Sequence, residues 1–309
     1  MLQLEAAAVS EDLVLPKCTM GFIKSIHHDY INLMSTDGVV SLVRSGLDHI
    51  PFGIEVDLAG SWLDFGLEQQ QMVQYHNGAI VLGNILAVQG LQTCSHFSCK
   101  TFLAPGAANF LPQLRQLQKL CNGAAYKGGI MVYLGGCDAE KFCRDGSFPD
   151  ARIPQMVRTL ITGVEEDREN LICEGICGLL GLGPGSTPAG DDFLLGFLSA
   201  IIHIQPENSR HAAQKMIRYL TLNAPGLTTC MSVEYLKYGV RGLYHQRVGE
   251  MLGSFGIEPM QELLDKARRL MQLGHSSGVD LLVGFVYGGF TALSAGNRLK
   301  RKESTNENL

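Results

Sequence analysis

Residues 181–200 read GLGPGSTPAGDDFLLGFLSA, and this stretch organises the second half of the chain. Its first ten residues contain four glycines and two prolines, which excludes the interior of a helix or a strand and predicts a loop. An apolar run starts at Phe193, directly after Asp191 and Asp192, and predicts a helix. Free N–H groups at the start of a helix bind anions, so we predict a functional site where the loop meets the helix.

A second copy of this motif lies 88 residues further along the chain. Residues 187–197, TPAGDDFLLGF, align without gaps on residues 275–285, HSSGVDLLVGF. Five of the eleven positions are identical, and they include the pair Asp192 and Asp280. Each copy follows a helical stretch and opens an apolar helix, so the two segments are predicted to have related structures.

Small residues follow each of the two paired aspartates at helical spacing. Asp192 is followed by Gly196 and Ala200, and Asp280 has glycine at the same two spacings. Such positions share one face of a helix, and small residues let two helices approach closely. We expect the two helices to cross on these faces and to bring Asp192 and Asp280 together. The alternative is structural, because an aspartate near a helix start also caps free N–H groups and suits the helix dipole.

Familiar site motifs do not fit these segments. The loop lacks the Lys-Ser/Thr pair of a P-loop, and its glycines do not give GxGxxG. Residues 274–278 read GHSSG and formally match the nucleophile motif GxSxG, but a predicted helix precedes them and no histidine follows His275. Hydrolysis through Ser276 is therefore not favoured.

A third polar cluster opens another predicted helix. Residues 226–232 read GLTTCMS, and Thr228 or Thr229 fits the N-cap of this helix as well as it fits a role in ligand binding. Ser232 follows in the first turn. Arg241, further along, is the cation best placed to serve the site, with a solvated surface position as the equal alternative.

Composition restricts the class of protein. Hydrophobic residues make up 46% of the chain and charged residues 18%, which predicts a globular protein with a sizeable core. A net charge of −5 does not favour binding to nucleic acid or to an anionic membrane. The start, MLQLE, lacks the features of a signal peptide, and the apolar residues 281–296 are short for a membrane span. We expect a cytoplasmic protein without nucleic-acid or membrane partners.

The chain is predicted to be of the α+β class. Closely spaced short apolar runs before residue 110 predict an N-terminal β-rich domain, an antiparallel sheet or a barrel-like structure. Helical periodicity after residue 153 predicts a mostly α-helical C-terminal domain that carries the site. We place the domains at residues 1–150 and 151–296, followed by a frayed polar tail at 297–309. Residues 112–121 are predicted to form a helix and residues 128–136, GGIMVYLGG, a buried strand.

The pair GLGPGSTPAGDDFLLG and GHSSGVDLLVG, with LTTCMSVEYL between them, resembles a bacterial family long known only as a domain of unknown function and often described as carboxylases. The family includes the AllH subunit of oxamate carbamoyltransferase, which acts with partner subunits in anaerobic allantoin degradation. The resemblance covers roughly residues 170–290. It implies a complex that exchanges oxalurate and phosphate with oxamate and carbamoyl phosphate.

The resemblance gives the motif residues candidate roles. Loop N–H groups would hold phosphate, His275 would shuttle protons, and the carboxylates would bind Mg²⁺ or accept hydrogen bonds from the amino group of a carbamoyl or ureido substrate. The predicted catalytic residues are Asp191, Asp192, His275 and Asp280, with Asp191 and Asp192 as ligands of Mg²⁺ and no other cofactor. The predicted substrate-binding residues are Gly183, Gly185, Ser186, Thr187, Gly190, Thr228, Thr229, Ser232, Ser276, Ser277 and Gly278.

The expected function is that of a subunit of a carbamoyltransferase-type enzyme in the catabolism of allantoin and purine nitrogen. Its expected partners are a small-molecule substrate, phosphate and the other subunits of the complex. Two alternatives stay open. One is a carboxylase-like enzyme, and the other is a non-catalytic binding or assembly subunit whose Gly/Asp loops only shape an interface.

Overall fold

The computed structural model describes residues 1–15, 20–76, 78–101, 110–123, 129–138, 140, 152–204, 206–257 and 259–306. By their contacts, the residues divide into two compact units. One unit consists of residues 1–100 and 243–249, and the other of residues 101–242 and 250–309. The domain boundary predicted near residue 150 falls among residues 141–151, outside the described part of the chain, and stays a prediction.

The first unit is a β-barrel. Its strands are β1 (Leu2–Ser10), β2 (Met20–Ile26), β3 (Tyr30–Ser35), β4 (Gly38–Arg44), β5 (Gly53–Val56), β6 (Met72–His76), β7 (Ala79–Leu82), β8 (Leu86–Gln89) and β9 (Ser95–Phe97). The first eight strands close into a ring because β5 pairs with both β4 and β1, while β9 pairs with the end of β1. Fully buried side chains such as Ile23, Leu42 and Trp62 form the core of the barrel.

The barrel confirms the predicted β-rich N-terminal structure and corrects its strand directions. The sheet is mixed, since β1 runs parallel to β8 and β9, and β4 runs parallel to β5. The pairings of β1 join strands from opposite ends of the unit. Local turn signals identify only neighbours along the chain, so they do not reveal such pairings.

The α-helices whose bounds the structure describes confirm the helical C-terminal part of the α+β prediction. They are α1 (Phe110–Gly123), α2 (Ile130–Leu134), α3 (Arg152–Glu165), α4 (Glu169–Leu179), α5 (Ala189–His203), α6 (Pro206–Leu227), α7 (Cys230–Gly239), α8 (Gln246–Ser254), α9 (Met260–Leu270) and α10 (Ser277–Asn306). The pair α5 and α10 makes the most extensive helix–helix contact. Both helices open at the predicted Gly/Asp motifs.

One local prediction in the helical unit is wrong, and another stays a prediction. The predicted strand at 128–136 contains helix α2 instead, bounded by Gly129 at φ 71° and Gly135 at φ 68°. A short apolar run has no periodicity that separates a buried strand from a buried helical turn. Helix α10 continues past Gly296 as far as Asn306 through residues that favour helix, such as Arg298 and Leu299, and the fraying of the polar tail at 297–309 stays a prediction.

One described helix, residues 277–296, is long and apolar enough to cross a membrane. However, 89% of this stretch is buried inside the protein. The segment is therefore a core helix of the second unit, and its apolar character is explained by packing against α5 and other helices.

Candidate functional site

Helices α5 and α10 cross through reciprocal glycine contacts. A Cβ atom added to Gly196 would lie 2.0 Å from the carbonyl oxygen of Leu281, and one added to Gly284 would lie 2.0 Å from the carbonyl oxygen of Phe193. These two contacts are equivalent under the 88-residue shift of the sequence motif. The predicted crossing of the two helices on their small faces is thereby confirmed.

The loops that lead into α5 and α10 also repeat each other. The N–H of Gly190 donates to the carbonyl of Leu182 at 2.9 Å, and the N–H of Gly278 donates to the carbonyl of Leu273 at 3.0 Å. Each of these leucines in turn donates its N–H to the carbonyl three residues earlier. The two sequence motifs are thus two copies of one helix–loop–helix structure, and they place Asp192 and Asp280 at equivalent positions.

Asp280 is a buried carboxylate held by the backbone of another helix. Its side chain is fully buried, and its Oδ1 accepts the N–H of Ile130 at 2.7 Å. Its Oδ2 has no hydrogen-bond partner among the described residues. Burial raises the pKa of Asp280 to about 6, against the stabilisation of its charged form by Ile130 and by the hydroxyl of Ser276.

Asp192 is a buried carboxylate whose donors are hydroxyl groups. It is 6% exposed, and its Oδ2 also has no hydrogen-bond partner among the described residues. Burial raises the pKa of Asp192 well above its ordinary value, the charge of Asp280 raises it further, and the hydroxyls of Ser277 and Thr187 oppose this rise. The two carboxylates differ in their donors, because Asp280 accepts a backbone N–H, whereas Asp192 has only hydroxyl donors.

Asp191 has a different environment and anchors the loop. Its Oδ1 accepts the N–H of Gly181 at 2.8 Å, and its Oδ2 accepts the hydroxyl of Thr228. Burial raises the pKa of Asp191, and these two hydrogen bonds with the Ser232 side chain oppose the rise. Both carboxylate oxygens are therefore committed to protein donors. The catalytic role predicted for Asp191 stays a prediction, while its contacts show a structural role.

Replacing Thr228 with valine tests this anchor. We expect the Thr228→Val protein to lose about 1.5–3 kcal/mol of its free energy of unfolding, because a buried carboxylate loses a hydroxyl donor. Urea unfolding of the full chain measures the change. Thr221→Val is the control, since Thr221 on α6 is exposed and only donates to the carbonyl of Ile217 in its own helix. Equal stability of the two variants would contradict an anchoring role for Thr228.

Hydroxyl groups connect the loops around the two helix starts. The hydroxyls of Thr187 and Ser277 lie 2.9 Å apart, which joins the first copy of the motif to the second. Thr229 donates to the carbonyl of Ser186 and caps α7 by accepting the N–H of Ser232 at 3.1 Å. The N-cap role that the sequence left open for Thr229 is therefore present, together with a contact to the loop.

The first loop and His275 include the exposed residues of the predicted set. Gly183 and Gly185 have φ angles of 107° and 104°, values that favour glycine, and Gly185 and Ser186 are exposed. His275 is exposed in the loop before α10. The guanidinium of Arg241, the suggested cation, lies 5.4 Å from the ring centre of Tyr238.

Sequence reasoning missed the contribution of Gly129 and Ile130. A Cβ atom at Gly129 would lie 2.3 Å from Asp280 Oδ1, so only glycine lets the backbone approach this carboxylate closely enough for the Ile130 hydrogen bond. Gly129 also has a φ of 71°. The adjacent glycines at 128–129 are the feature of the sequence that indicates a close backbone approach, but the sequence analysis places them at the start of a strand.

The side chains around Asp191 and Asp192 give limited support for the predicted Mg²⁺ ion. Among the described residues, no group of three or more His, Cys, Asp or Glu side chains is arranged to hold a metal ion. An Mg²⁺ ion shared by Asp191 and Asp192 would compete at Asp191 with the hydrogen bonds that its oxygens accept from Gly181 and Thr228. Magnesium at this pair therefore stays a prediction.

Two models from comparisons with known protein families match the chain. A model described as the oxamate carbamoyltransferase subunit AllH matches residues 179–289, and a model described as the AllH family N-terminal domain matches residues 5–95. Together they cover about two thirds of the sequence, and the first contains both copies of the Gly/Asp motif. No solved structure matches the chain.

Proposed function

Because the chain belongs to the AllH family, we propose that it is a subunit of a carbamoyltransferase that interconverts oxalurate and phosphate with oxamate and carbamoyl phosphate. We assign it to the catabolism of allantoin and purine nitrogen in the cytoplasm, in a complex with other subunits. The observation that supports a direct part in the chemistry is the buried pair Asp192 and Asp280. Each carries a carboxylate oxygen without a partner among the described residues, inside the region matched by the family.

The reaction requires two kinds of binding group. A phosphate oxygen attacks the carbamoyl carbon of oxalurate and forms a C–O bond, the bond from this carbon to the oxamate nitrogen breaks, and that nitrogen takes up a proton. The glycine loop at residues 183–187, exposed at 184–186, offers backbone N–H groups for the phosphate. The carboxylates suit the nitrogen-bearing part of the substrate, because carboxylate oxygens accept hydrogen bonds from –NH₂. His275, which is exposed in the loop before α10, is assigned the proton transfer.

Binding the phosphate at the loop and the carbamoyl group at the carboxylates keeps the phosphate away from the acidic residues. A bare phosphate beside the Asp192–Asp280 pair would face like charges in a buried environment, which is unfavourable. We therefore place the phosphate at the loop tip and the uncharged carbamoyl group nearer the pair. If Mg²⁺ takes part, Asp192 and Asp280 offer free oxygens to it, whereas Asp191 does not.

Asp192→Asn tests the proposal in the assembled complex. The release of oxamate from oxalurate and phosphate is expected to fall about 10- to 100-fold, the effect of losing one hydrogen bond to a charged or acidic group. Asp265→Asn is the matched control, because Asp265 lies exposed on α9 and pairs with Arg268. Circular dichroism and copurification with the partner subunits establish that folding and assembly are intact.

Full activity of both Asp192→Asn and Asp280→Asn complexes would refute a direct part in catalysis. That outcome would favour a non-catalytic assembly subunit, the alternative that the Gly/Asp loops only shape an interface.

A further inference from the structure

We propose that Asn122 on α1 is a positioning residue of the site, because it fixes the segment whose N–H group holds Asp280. This segment consists of residues 129–137 and contains helix α2. Asn122 lies outside both copies of the Gly/Asp motif, 158 positions before Asp280 in the sequence. The inference rests on the proposed function only for the part that Asp280 plays in turnover.

The side-chain amide of Asn122 pairs with both backbone groups of one residue. Its Nδ2 donates to the carbonyl of Cys137 at 2.6 Å, and its Oδ1 accepts the N–H of Cys137 at 2.7 Å. Cys137 is fully buried, so its backbone groups need partners within the protein. Two hydrogen bonds to the backbone of one residue fix its position and its orientation. Asn122 therefore anchors one end of the segment.

The segment is short and internally closed. Residues 130–134 form α2, and the N–H groups of Gly135 and Gly136 both donate to the carbonyl of Met131. These two glycines have φ angles of 68° and 115°, and they end the helix in a tight turn directly before Cys137. Because the turn is hydrogen-bonded to α2, a displacement of Cys137 moves α2 with it.

The other end of the segment lies directly against Asp280. The N–H of Ile130 donates to Asp280 Oδ1 at 2.7 Å, and a Cβ atom at Gly129 would lie 2.3 Å from the same oxygen. The backbone therefore lies as close to the carboxylate as it can. Since Oδ1 is held, the direction of Oδ2, which has no hydrogen-bond partner among the described residues, is fixed as well. A displacement of α2 would leave the carboxylate free to rotate.

A second contact of α1 with the chain after Cys137 supplies a matched control. Arg115 donates two hydrogen bonds, of 2.6 and 3.0 Å, to the carboxylate of Glu140. This pair lies at the surface and joins side chains three residues beyond Cys137. Surface ion pairs contribute little to stability, so the loss of this pair should leave α2 in place.

The first part of the test observes the Ile130 N–H in the full chain. Leucine in Asn122→Leu has the approximate shape of asparagine without its hydrogen-bonding groups. With ¹⁵N-labelled isoleucine, the amide-proton resonance of Ile130, identified by its loss in Ile130→Val, is expected to move upfield as its hydrogen bond lengthens. Asn122→Asp, which keeps the acceptor for the Cys137 N–H, is the milder second variant and should move the resonance in the same direction.

The second part of the test measures turnover in the assembled complex. For Asn122→Leu, kcat for the release of oxamate is expected to fall about tenfold or more, while KM for phosphate changes less than about twofold. Gly129→Ala, whose added methyl group pushes the backbone away from Asp280, should show the same loss of kcat and the same shift of the Ile130 resonance. Arg115→Leu should show neither. Circular dichroism and copurification with the partner subunits establish that each variant folds and assembles.

The outcomes separate this inference from the proposed function. An unchanged Ile130 resonance in folded Asn122→Leu and Asn122→Asp proteins overturns the inference, as do equal changes in Arg115→Leu. If the resonance moves but kcat stays at the wild-type value, a positioning role in the reaction is overturned and the carbamoyltransferase assignment stands. A wild-type complex that releases no oxamate overturns the proposed function, and the Ile130 resonance then decides alone whether Asn122 positions the group that holds Asp280.

Discussion

Replacing Gly284 with alanine is expected to destabilise the helical unit by roughly 3 kcal/mol or more, a large share of the total stability of a typical domain. The added Cβ would lie 2.0 Å from the carbonyl oxygen of Phe193 and 3.0 Å from its Cα. Both atoms belong to the backbone of α5, so no flexible side chain can move aside. The two helices would have to separate, and the buried contact that holds the Gly/Asp motifs together would be lost.

Thermal and urea unfolding of the full chain measure this effect. Gly253→Ala is the matched control, because Gly253 lies in helix α8 and an added Cβ would have no neighbour within 4 Å. In a helix, this exchange is expected to stabilise the protein by up to about 1 kcal/mol. Gly196→Ala should be as damaging as Gly284→Ala, since the two contacts are equivalent. A Gly284→Ala protein as stable as the wild type would disprove the close crossing of α5 and α10.

Asparagine at position 280 is expected to make the protein more stable at neutral pH, although it removes a site residue. The pKa of Asp280 is raised by burial from its ordinary value of 3.8 to about 6, so the folded state binds a proton more tightly than the unfolded state. This stability is present below the unfolded pKa and is lost as the pH rises through the folded pKa. The loss amounts to roughly 3 kcal/mol between about pH 4 and about pH 7.

The measurement is the free energy of unfolding of wild type and Asp280→Asn across this pH range. The difference between them should grow by roughly 3 kcal/mol in favour of the variant, because asparagine cannot ionise and can still accept the Ile130 N–H. Asp192→Asn should give a difference that continues to grow at higher pH, since burial and the charge of Asp280 raise its pKa well above the ordinary value. Asp265→Asn, on the exposed face of α9, is the control. A pH-independent difference for Asp280→Asn would show that this carboxylate is not buried in solution.

The sequence predicted those parts of the site that follow from local spacing. The repeat of glycine and aspartate at four-residue intervals was sufficient to predict that α5 and α10 cross and that Asp192 and Asp280 occupy equivalent places. Helix geometry alone carries this information, because such positions share one face. The barrel-like character of the N-terminal unit followed in the same way from short strands with local turns.

Other features depend on contacts between distant segments. The hydrogen bond from Ile130 to Asp280 joins residues 150 positions apart, and nothing in the motif around Asp280 indicates it. The different roles of Asp191 and Asp192 were also hidden. Neighbouring residues in a helix point in directions about 100° apart, so one aspartate faces the loop and the other faces α10. Which of the two aspartates faces the loop depends on where the loop lies, and the sequence around them does not give its position.

The repeated helix–loop–helix structure has a consequence for how this site can change. In a symmetric homodimer, every substitution appears twice, once in each half of the site. Here the two copies of the motif are different stretches of one chain, so a substitution in one copy leaves the other unchanged. Asp191 in the first copy stands where the second has Val279, and Thr187 stands where the second has His275. The two copies thereby present different side chains at equivalent positions of one repeated structure.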